Sequence, residues 1–164
     1  MTSAKGLGSG MPIGAIIAKK QIMEHWKRGA HGNTFGGNPL SCAAAIATLD
    51  LVQSEYAANA ARVGEHFMGR LREMQRDYPC IGEVRGRGLM IGMELVENDA
   101  ERTPARALCD RLVTRGYHSG LLLLACGVST LRFMPPLSTT IAEVDEAIGL
   151  LRNSLDEALQ GKGA

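Results

Sequence analysis

The part of the chain after residue 54 shows clear periodic patterns of hydrophobic and polar positions. From Tyr56 to Met74 the hydrophobic residues recur in steps of three and four, which predicts an amphipathic helix that Pro79 closes. Thr140 and Glu143 form the capping-box pattern that precedes another such helix. The hydrophobic stripe of this last helix consists of Ile141, Val144, Ile148, Leu151 and Leu155.

Shorter hydrophobic runs between these two helices predict a sheet. We expect strands at residues 81–84, 89–96, 121–124 and 128–133. A further helix is predicted to begin at Thr103-Pro104 and to end at Gly116. Helices on one face of a mainly antiparallel sheet make residues 55–164 a small α+β domain.

The first 54 residues have a different pattern. Residues 12–18 predict a short buried strand, and residues 19–26 predict one or two helical turns. From Pro39 to about Val52 the predicted helix is hydrophobic almost all round, so we expect it to be buried on most faces. Such a helix needs neighbours on several sides, and we expect some of them from a missing segment or another subunit.

Composition and charge narrow the possible functions. The 164 residues are 45% hydrophobic and carry a net charge of +1, with acids and bases interspersed. No basic patch indicates nucleic acid, and no apolar run approaches the length of a membrane span. Four cysteines lie far apart without a C-x-x-C pair, and the histidines lack ligand spacing. We therefore expect reduced thiols, a cytoplasmic location and no structural metal.

Lys5 stands in the run SAKGLGSGMP, where small residues crowd it on both sides. Because glycine has no Cβ, such a run lets a flat cofactor approach the backbone within reach of the lysine amine. Taken alone, the run is explained more simply by a solvated lysine in a flexible loop. The glycines of this run do not match a dinucleotide-binding fingerprint, since the third glycine and the preceding strand are absent.

A second glycine-rich segment, HGNTFGGNPL, leads into the predicted all-hydrophobic helix. Asn38 is a good N-cap and Pro39 suits the first helical position. The loop can offer free backbone N–H groups and the Thr34 hydroxyl to an anion. The alternative is an ordinary capped loop without a ligand.

Arg132 lies in the segment STLRFMPPL, whose alternation places it on the opposite face from Leu131 and Phe133. An arginine there could form a two-pronged bond to a carboxylate, or it could simply occupy the solvent face of a sheet. The segment Arg85-Gly86-Arg87-Gly88 has the composition of a phosphate-binding nest. A bend between two strands explains its glycines more simply.

Taken together and in this order, these segments resemble the class III aminotransferases, which use pyridoxal 5'-phosphate (PLP). The matching runs are AKGLGSGMPIGA, HGNTFGGNPLSCAAA, VRGRGLMIGMEL and GLLLLACGVSTLRFMPPL. The last run is most similar to the 4-aminobutyrate aminotransferases and their ω-amino-acid relatives. The resemblance implies the carboxy-terminal portion of a fold-type I PLP-dependent transferase, α/β at first and ending in the small α+β domain.

The resemblance also implies that residues 1–54 are a remnant of the large PLP-binding domain. In the family, the aspartate that pairs with the pyridine nitrogen, the residue that stacks on the ring and the main phosphate-binding turn all precede the lysine. None of them can be placed here. We therefore expect the chain to be truncated and inactive alone, whether by nature, by an expression boundary or by a mis-assigned start.

Three residues receive roles from the resemblance. Lys5 would form the Schiff base with PLP and would move the substrate proton as general base and acid. Thr34 would bond the phosphate of the partner subunit's cofactor across a homodimer interface. Arg132 would hold the carboxylate of the amino acid or oxo acid, with 2-oxoglutarate as the usual acceptor.

Two other classes of function stay open. Decarboxylating aminotransferases, aminomutases and racemases share the lysine loop and differ mainly in their substrate contacts. A non-catalytic module that folds and dimerises through the region after Ser54 is the remaining alternative.

Overall fold

The computed structural model describes residues 1–97 and 100–161, in two units, Met1–Glu55 and Tyr56–Ala164. The first unit contains β1 (Thr2–Ser3), β2 (Ala15–Ile16), α1 (Lys20–Met23) and α2 (Pro39–Leu51). The second unit contains α3 (Ala57–Asp77), β3 (Ile81–Arg87), β4 (Met90–Leu95), α4 (Arg106–His118), β5 (Leu124–Cys126), β6 (Thr130–Phe133) and α5 (Ile141–Gln160). A π-helical turn, Val52–Tyr56, spans the boundary between the units.

The four strands of the second unit form one antiparallel sheet in the order β3-β4-β6-β5. Residues alternate along its strands, and the buried side chains face a core that all three helices share. The predicted stripes of α3 and α5 lie in that core, with Leu71, Met74 and Leu155 fully buried. The predicted α+β domain with a mainly antiparallel sheet is confirmed.

The start of α5 follows the predicted capping box. The Thr140 hydroxyl accepts a hydrogen bond from the Glu143 N–H at 3.3 Å, and the Glu143 carboxylate accepts one from the Thr140 N–H at 2.8 Å. These two bonds satisfy backbone donors that the first helical turn leaves free.

Helix α4 begins and ends later than predicted. It starts at Arg106, because Pro104 pairs with Val96 and the Ala105 N–H donates to the Leu95 carbonyl at 3.0 Å. These contacts hold the preceding residues extended along β4. At its other end the helix continues to His118, past the predicted stop at Gly116.

Strand β5 is shifted from the predicted 121–124 to Leu124–Cys126. The Leu121 N–H donates to the Gly116 carbonyl at 2.8 Å, and Gly120 has a φ of +84°. This left-handed turn closes α4 and takes the backbone donor that a strand would need. The sheet pairing therefore starts at Leu124.

The bend predicted at Arg85-Gly86-Arg87-Gly88 joins β3 to β4. Both arginines lie on β3, and the turn that follows places Gly88 at a φ of +55°. Val84 and Ile91 point into the core, whereas Arg85 and Arg87 lie on the exposed face of the sheet. The bend is therefore confirmed at Gly88, whereas residues 85–87 belong to strand β3, which continues beyond its predicted end at residue 84.

The first unit has much less buried surface than predicted. The buried strand at 12–18 was wrong, since β2 has two residues and Ile17 is 57% exposed. Helix α1 is confirmed, and α2 starts at Pro39 after the N-cap Asn38 as predicted. Within this unit the Lys5–Gly8 turn is the element that packs on α2. Burial of α2 on most faces stays a prediction, since it was expected in part from neighbours outside this chain. Only Ser41 and Ala45 of this helix are buried.

Candidate functional site

Lys5 opens a 3-10 turn, Lys5–Gly8, that follows strand β1. Its φ is +54°, in the left-handed region that L residues other than glycine, asparagine and aspartate seldom adopt. The turn is held by backbone bonds from Leu7 N–H to the Ala4 carbonyl and from Ser9 N–H to the Gly6 carbonyl, both 3.2 Å. The Lys5 side chain is exposed to solvent, and its backbone lies in a turn that hydrogen bonds hold in place.

The glycines around Lys5 have different surroundings. A Cβ built on Gly8 would lie 2.9 Å from Ile13 Cγ2, so Gly8 is required for close packing. A Cβ built on Gly6 would meet nothing within 4 Å. A planar group can therefore approach the backbone beside Lys5 at Gly6. The Ser9 hydroxyl bonds that of Thr48 at 2.9 Å and ties the turn to α2.

The Thr34 segment is an ordered turn that ends in the N-cap of α2. The Asn33 side chain accepts from the Phe35 N–H at 3.1 Å, and the Asn38 side chain accepts from the Ser41 N–H at 2.9 Å. Asn38 also donates to the Phe35 carbonyl at 3.0 Å. Among the described residues, the Thr34 hydroxyl has no hydrogen-bond partner, and its side chain is exposed.

A small groove adjoins this turn. Its volume is about 250 Å³, and it lies between residues 12–14 on one side and Asn33 with residues 35–38 and Ser41 on the other. Gly37 has a φ of +70°, and a Cβ built on it would meet nothing within 4 Å. The lining of this groove includes the residues on both sides of Thr34, but neither Thr34 nor Lys5.

Arg132 lies on β6 between Leu131 and Phe133, which are 0% and 7% exposed. The predicted alternation is confirmed, since both neighbours enter the core and Arg132 lies on the open face of the sheet. β6 ends at Phe133, before Pro135. In the part of the chain that the structure describes, the Arg132 guanidinium has no hydrogen bond or ion pair.

Two further arginines share a groove with Arg132, which the sequence patterns did not predict. Arg85 and Arg87 line the same groove, which has a volume of about 570 Å³. Sequence reasoning attributed both arginines to the bend alone. The signal that could have found them is the spacing along β3, since residues two apart on a strand share a face.

The structure places the three predicted residues in different units. Lys5 and Thr34 lie in the first unit and Arg132 in the second. Among the described residues, no hydrogen bond or ion pair joins Lys5 to Thr34. The roles of the three residues therefore remain predictions.

Other ionisable groups of the second unit are shifted by their surroundings. Burial raises the pKa of the Cys80 and Cys109 thiols, and all four cysteines are unpaired. The Thr140 N–H lowers the pKa of Glu143. Across residues 1–97 and 100–161, no three His, Cys, Asp or Glu side chains are grouped as metal ligands. No helix in these ranges combines the length and hydrophobicity needed to cross a bilayer.

Comparison with known proteins gives matches over nearly the whole chain. The profile of the family described as aminotransferase class-III matches residues 1–155. An acetylornithine aminotransferase of Caldanaerobacter subterraneus subsp. tengcongensis is 41% identical over 158 residues, which cover 96% of this chain and 38% of that protein. The 5-aminovalerate aminotransferase of Pseudomonas aeruginosa is 36% identical over 159 residues, covering 95% of this chain and 37% of that protein.

A solved structure supports the same likeness. The PLP-bound amine transaminase of an uncultivated Pseudomonas species is 32% identical, with a TM-score of 0.85, over 96% of this chain and 38% of that one. The predicted fold class is confirmed by this match. The chain spans less than two fifths of the length of these relatives.

Proposed function

Since this chain belongs to the class III aminotransferase family, we propose that it takes part in PLP-dependent transamination of an ω-amino acid. The amino donor resembles 4-aminobutyrate, and 2-oxoglutarate accepts the amino group. Because the chain spans 38% of a curated relative, it would act as part of a longer subunit in a homodimer. The four unpaired thiols support a cytoplasmic location.

The observation that carries this proposal is the backbone of Lys5. A left-handed conformation costs a residue with a Cβ about 1 to 2 kcal/mol, and Lys5 adopts it at a φ of +54°. Strain of this kind concentrates at functional sites, where the surrounding structure imposes it. With open space at Gly6 beside an exposed amine, the turn fits a flat cofactor such as PLP.

We propose domain roles that follow the family. Residues 1–54 would belong to the large PLP-binding domain, and residues 55–164 would be the small carboxy-terminal domain. The exposed hydrophobic side chains of α2 support this, since Leu40 and Ile46 are 66% and 62% exposed. A larger domain would cover them, because large apolar patches seldom stay in contact with water.

Two residues would hold the cofactor. Lys5 would bind it through Nζ, and the Thr34 hydroxyl would donate to the phosphate of the partner subunit's cofactor. When bound, PLP supplies an electron sink for negative charge on the carbon that bears the substrate amino group. Lys5 Nζ would take the proton from that carbon and later return a proton.

Arg132 would bind the substrate carboxylate. Its backbone is fixed by the buried neighbours Leu131 and Phe133, which suits two-pronged recognition by a planar guanidinium. The 5-aminovalerate of one relative's name carries its amine at the far end of the chain from its carboxylate. A carboxylate site separate from the lysine site is what such a substrate requires.

A chimaera tests this function. This chain would replace the matching segment of the Caldanaerobacter acetylornithine aminotransferase, which supplies the remaining length. We expect PLP binding, turnover of 4-aminobutyrate with 2-oxoglutarate, and a single borohydride-reduced adduct on Lys5. Lys5→Ala should abolish turnover, and Lys19→Ala is the matched control. An adduct on Lys19 or Lys20, or an active Lys5→Ala chimaera, would contradict the assignment.

The role of Thr34 needs a test of its own. Thr34→Ala in the chimaera should weaken PLP retention by about 1.5 to 3 kcal/mol, the contribution of a hydrogen bond to a charged group. Mixing Thr34→Ala with Lys5→Ala subunits should restore activity if Thr34 acts across the interface, because one site per mixed dimer then lacks both lesions. No recovery would place Thr34 in the site of its own subunit.

The alternative PLP-dependent reactions can be distinguished from transamination by their products. A screen of amine donors on the chimaera distinguishes transamination from decarboxylation, amino-group migration and racemisation. For the chain alone we expect negligible transamination, because Lys5 and Thr34 by themselves do not orient a cofactor for reaction. Steady turnover by the 164-residue chain would contradict that expectation.

A further inference from the structure

We propose that the second unit carries an anion site between α4 and the end of α5, where Arg111 and Arg115 bind the two phosphate groups of a diphosphate. The inference goes beyond the proposed function, which does not use these residues. The site is a groove of about 500 Å³ that the two helices line. Grooves of this volume are large enough to bind a small molecule.

The two arginines project from neighbouring turns of α4. Residues four apart on a helix lie on the same face, and their Cα atoms are about 6 Å apart along the helix axis. Arg111 and Arg115 both line the groove, and so does His118, one turn further along. The ring of His118 has at least one N–H donor in either charge state. This face of α4 therefore presents a row of hydrogen-bond donors to the groove.

The Arg111 side chain is held in place by the end of α5. Its Nε donates a hydrogen bond to the Ala158 carbonyl at 3.1 Å. Among the described residues, the two Nη atoms of Arg111 have no hydrogen bond or ion pair. A planar guanidinium that is fixed through Nε is preorganised, so its Nη donors can form a two-pronged bond to a phosphate.

The acidic side chains of the groove are Asp110 and Glu157. Asp110 accepts two hydrogen bonds from Arg106 Nε, at 2.9 and 3.1 Å, and Arg106 lies outside the groove lining. Glu157 Oε2 is 3.9 Å from Arg115 Nη1, in a pair whose side chains are 57% and 50% exposed. Exposed ion pairs are weak, so a bound anion can compete with Glu157 for Arg115.

Neutralisation of helix ends explains these arginines only in part. Cations near the end of a helix offset the partial negative charge of its last carbonyls, and Arg111 does this for α5. Across residues 1–97 and 100–161, the Arg115 guanidinium has no bond to a backbone carbonyl. Like charges four residues apart also destabilise a helix. A diphosphate would remove this repulsion, because it supplies one phosphate for each guanidinium.

The test is an NMR titration of the whole chain with pyrophosphate, without magnesium, and with orthophosphate for comparison. We expect saturable shifts of the Arg115 and His118 amides. Pyrophosphate reaches both arginines, so it should bind at least about tenfold more tightly than orthophosphate, a difference of 1.4 kcal/mol. ADP, titrated in the same way, distinguishes a free diphosphate from one attached to a nucleoside, since only ADP gains from nucleoside contacts.

Three variants and a matched control address the residues. Arg115→Gln should weaken pyrophosphate binding by about tenfold. Arg72→Gln should leave it unchanged, and the control is matched because Arg72 is 52% exposed and lies 3.9 Å from Glu65. Arg111→Lys keeps the charge but loses the planar fork, so it should also weaken binding. Glu157→Gln removes the competing carboxylate and should strengthen binding.

The contrary results are distinct from one another. Equal affinity for pyrophosphate and orthophosphate would mean that the arginines do not act as a pair. An equal loss for Arg115→Gln and Arg72→Gln would show general attraction to positive charge. Shifts at Gly92 in place of His118 would put the anion in the groove of Arg132. Each result would overturn the inference, as would the lack of saturable binding. Amide spectra that match the unmodified chain outside the groove show that each variant is folded.

Discussion

The two units differ in how completely they bury their hydrophobic residues. In the second unit Leu71, Leu151 and Leu155 are 0 to 1% exposed, within a core shared by a sheet and three helices. In the first unit Phe35 is 80% exposed and Leu40 is 66% exposed, and Ala45 is its buried hydrophobic residue among those described. Helices with a hydrophobic stripe on one face therefore bury that stripe within their own unit. A helix that is hydrophobic on all faces would need neighbours from outside its unit to be buried.

The candidate site residues divide in the same way. Arg132 projects from a strand whose neighbouring side chains are buried, so its backbone is fixed by the core of the second unit. Lys5 and Thr34 project from turns held by a few backbone and side-chain hydrogen bonds. A carboxylate site can therefore be preorganised within this chain. The proposed cofactor site would depend on further contacts that keep these turns in place.

The largest expected effect comes from comparing an Ile→Ala substitution in each of the two units. Ile148→Ala, at a position 3% exposed, should lower the free energy of unfolding by about 2 to 5 kcal/mol, because it leaves a cavity in the core. Ile46→Ala, at a position 62% exposed, should change it by less than about 0.5 kcal/mol. Urea unfolding followed by circular dichroism measures both. Similar losses of stability for the two variants would show that Ile46 of α2 contributes to a hydrophobic core as much as Ile148 does, which would contradict the contrast between the units.

The second effect compares two glycines of α3. A Cβ at Gly64 would lie 2.1 Å from the Gly88 carbonyl oxygen. Gly64→Ala should therefore push α3 away from the turn between β3 and β4 and lower the free energy of unfolding by about 1 to 3 kcal/mol. A Cβ at Gly69 would meet nothing within 4 Å, so Gly69→Ala should stabilise by about 0.5 to 1 kcal/mol. Thermal unfolding should show melting temperatures that move in opposite directions, and a shift in the same direction would contradict this packing.

Local sequence patterns predicted most helices and strands of the second unit, because the signals for them lie within each segment. The capping box at Thr140 and the stripe of α3 need no information about distant residues. Strand β5 was misplaced because the Leu121 N–H bonds to Gly116, which depends on how α4 ends. The start of α4 was misplaced because Pro104 pairs with Val96.

The candidate site shows the same limit. The alternation around Arg132 could be predicted, because it depends on adjacent residues. The groove that Arg85 shares with Arg132 could not, because it depends on the pairing of strands that are distant in sequence. Burial of α2 on most faces stays a prediction, since it depends on neighbours expected outside this chain.

The third effect compares the N-caps of the two units. Thr140→Ala, at the cap of α5, should lower the free energy of unfolding by about 1 kcal/mol. Asn38→Ala removes an equivalent bond at α2, but it should leave the main unfolding transition unchanged, because α2 contributes little buried surface. Urea unfolding of both variants checks this. An equal loss for Asn38→Ala would contradict the contrast between the units.

The same cap gives a pH dependence. The pKa of Glu143 is lowered mainly by the Thr140 N–H, so the folded state favours the charged carboxylate. Its stabilising contribution is therefore complete above the unfolded pKa of about 4.3 and is lost as the pH falls through the lower, folded pKa. Glu143→Gln should be less stable than the unmodified chain at neutral pH, with the difference shrinking in that acidic window. A difference independent of pH would contradict the capping role.

The smallest expected effect is at Lys5, in the first unit. Lys5→Gly relieves a left-handed conformation that costs about 1 to 2 kcal/mol, but glycine loses about 0.5 to 1 kcal/mol more backbone entropy on folding. The net gain should therefore lie between zero and about 1.5 kcal/mol and be confined to the turn. Hydrogen exchange should therefore show slower exchange at the Ser9 and Met11 amides, which bond to Gly6 and Gly8.

Lys5→Ala is the matched control, because alanine keeps the Cβ and hence the strain. It should leave those exchange rates unchanged, while both variants abolish turnover in the chimaera. If the strain at Lys5 is retained for function, a substitution that relieves it should stabilise the turn and abolish activity. Faster exchange in Lys5→Gly would instead mean that the lysine side chain stabilises the turn, and the positive φ would then no longer support the proposed function.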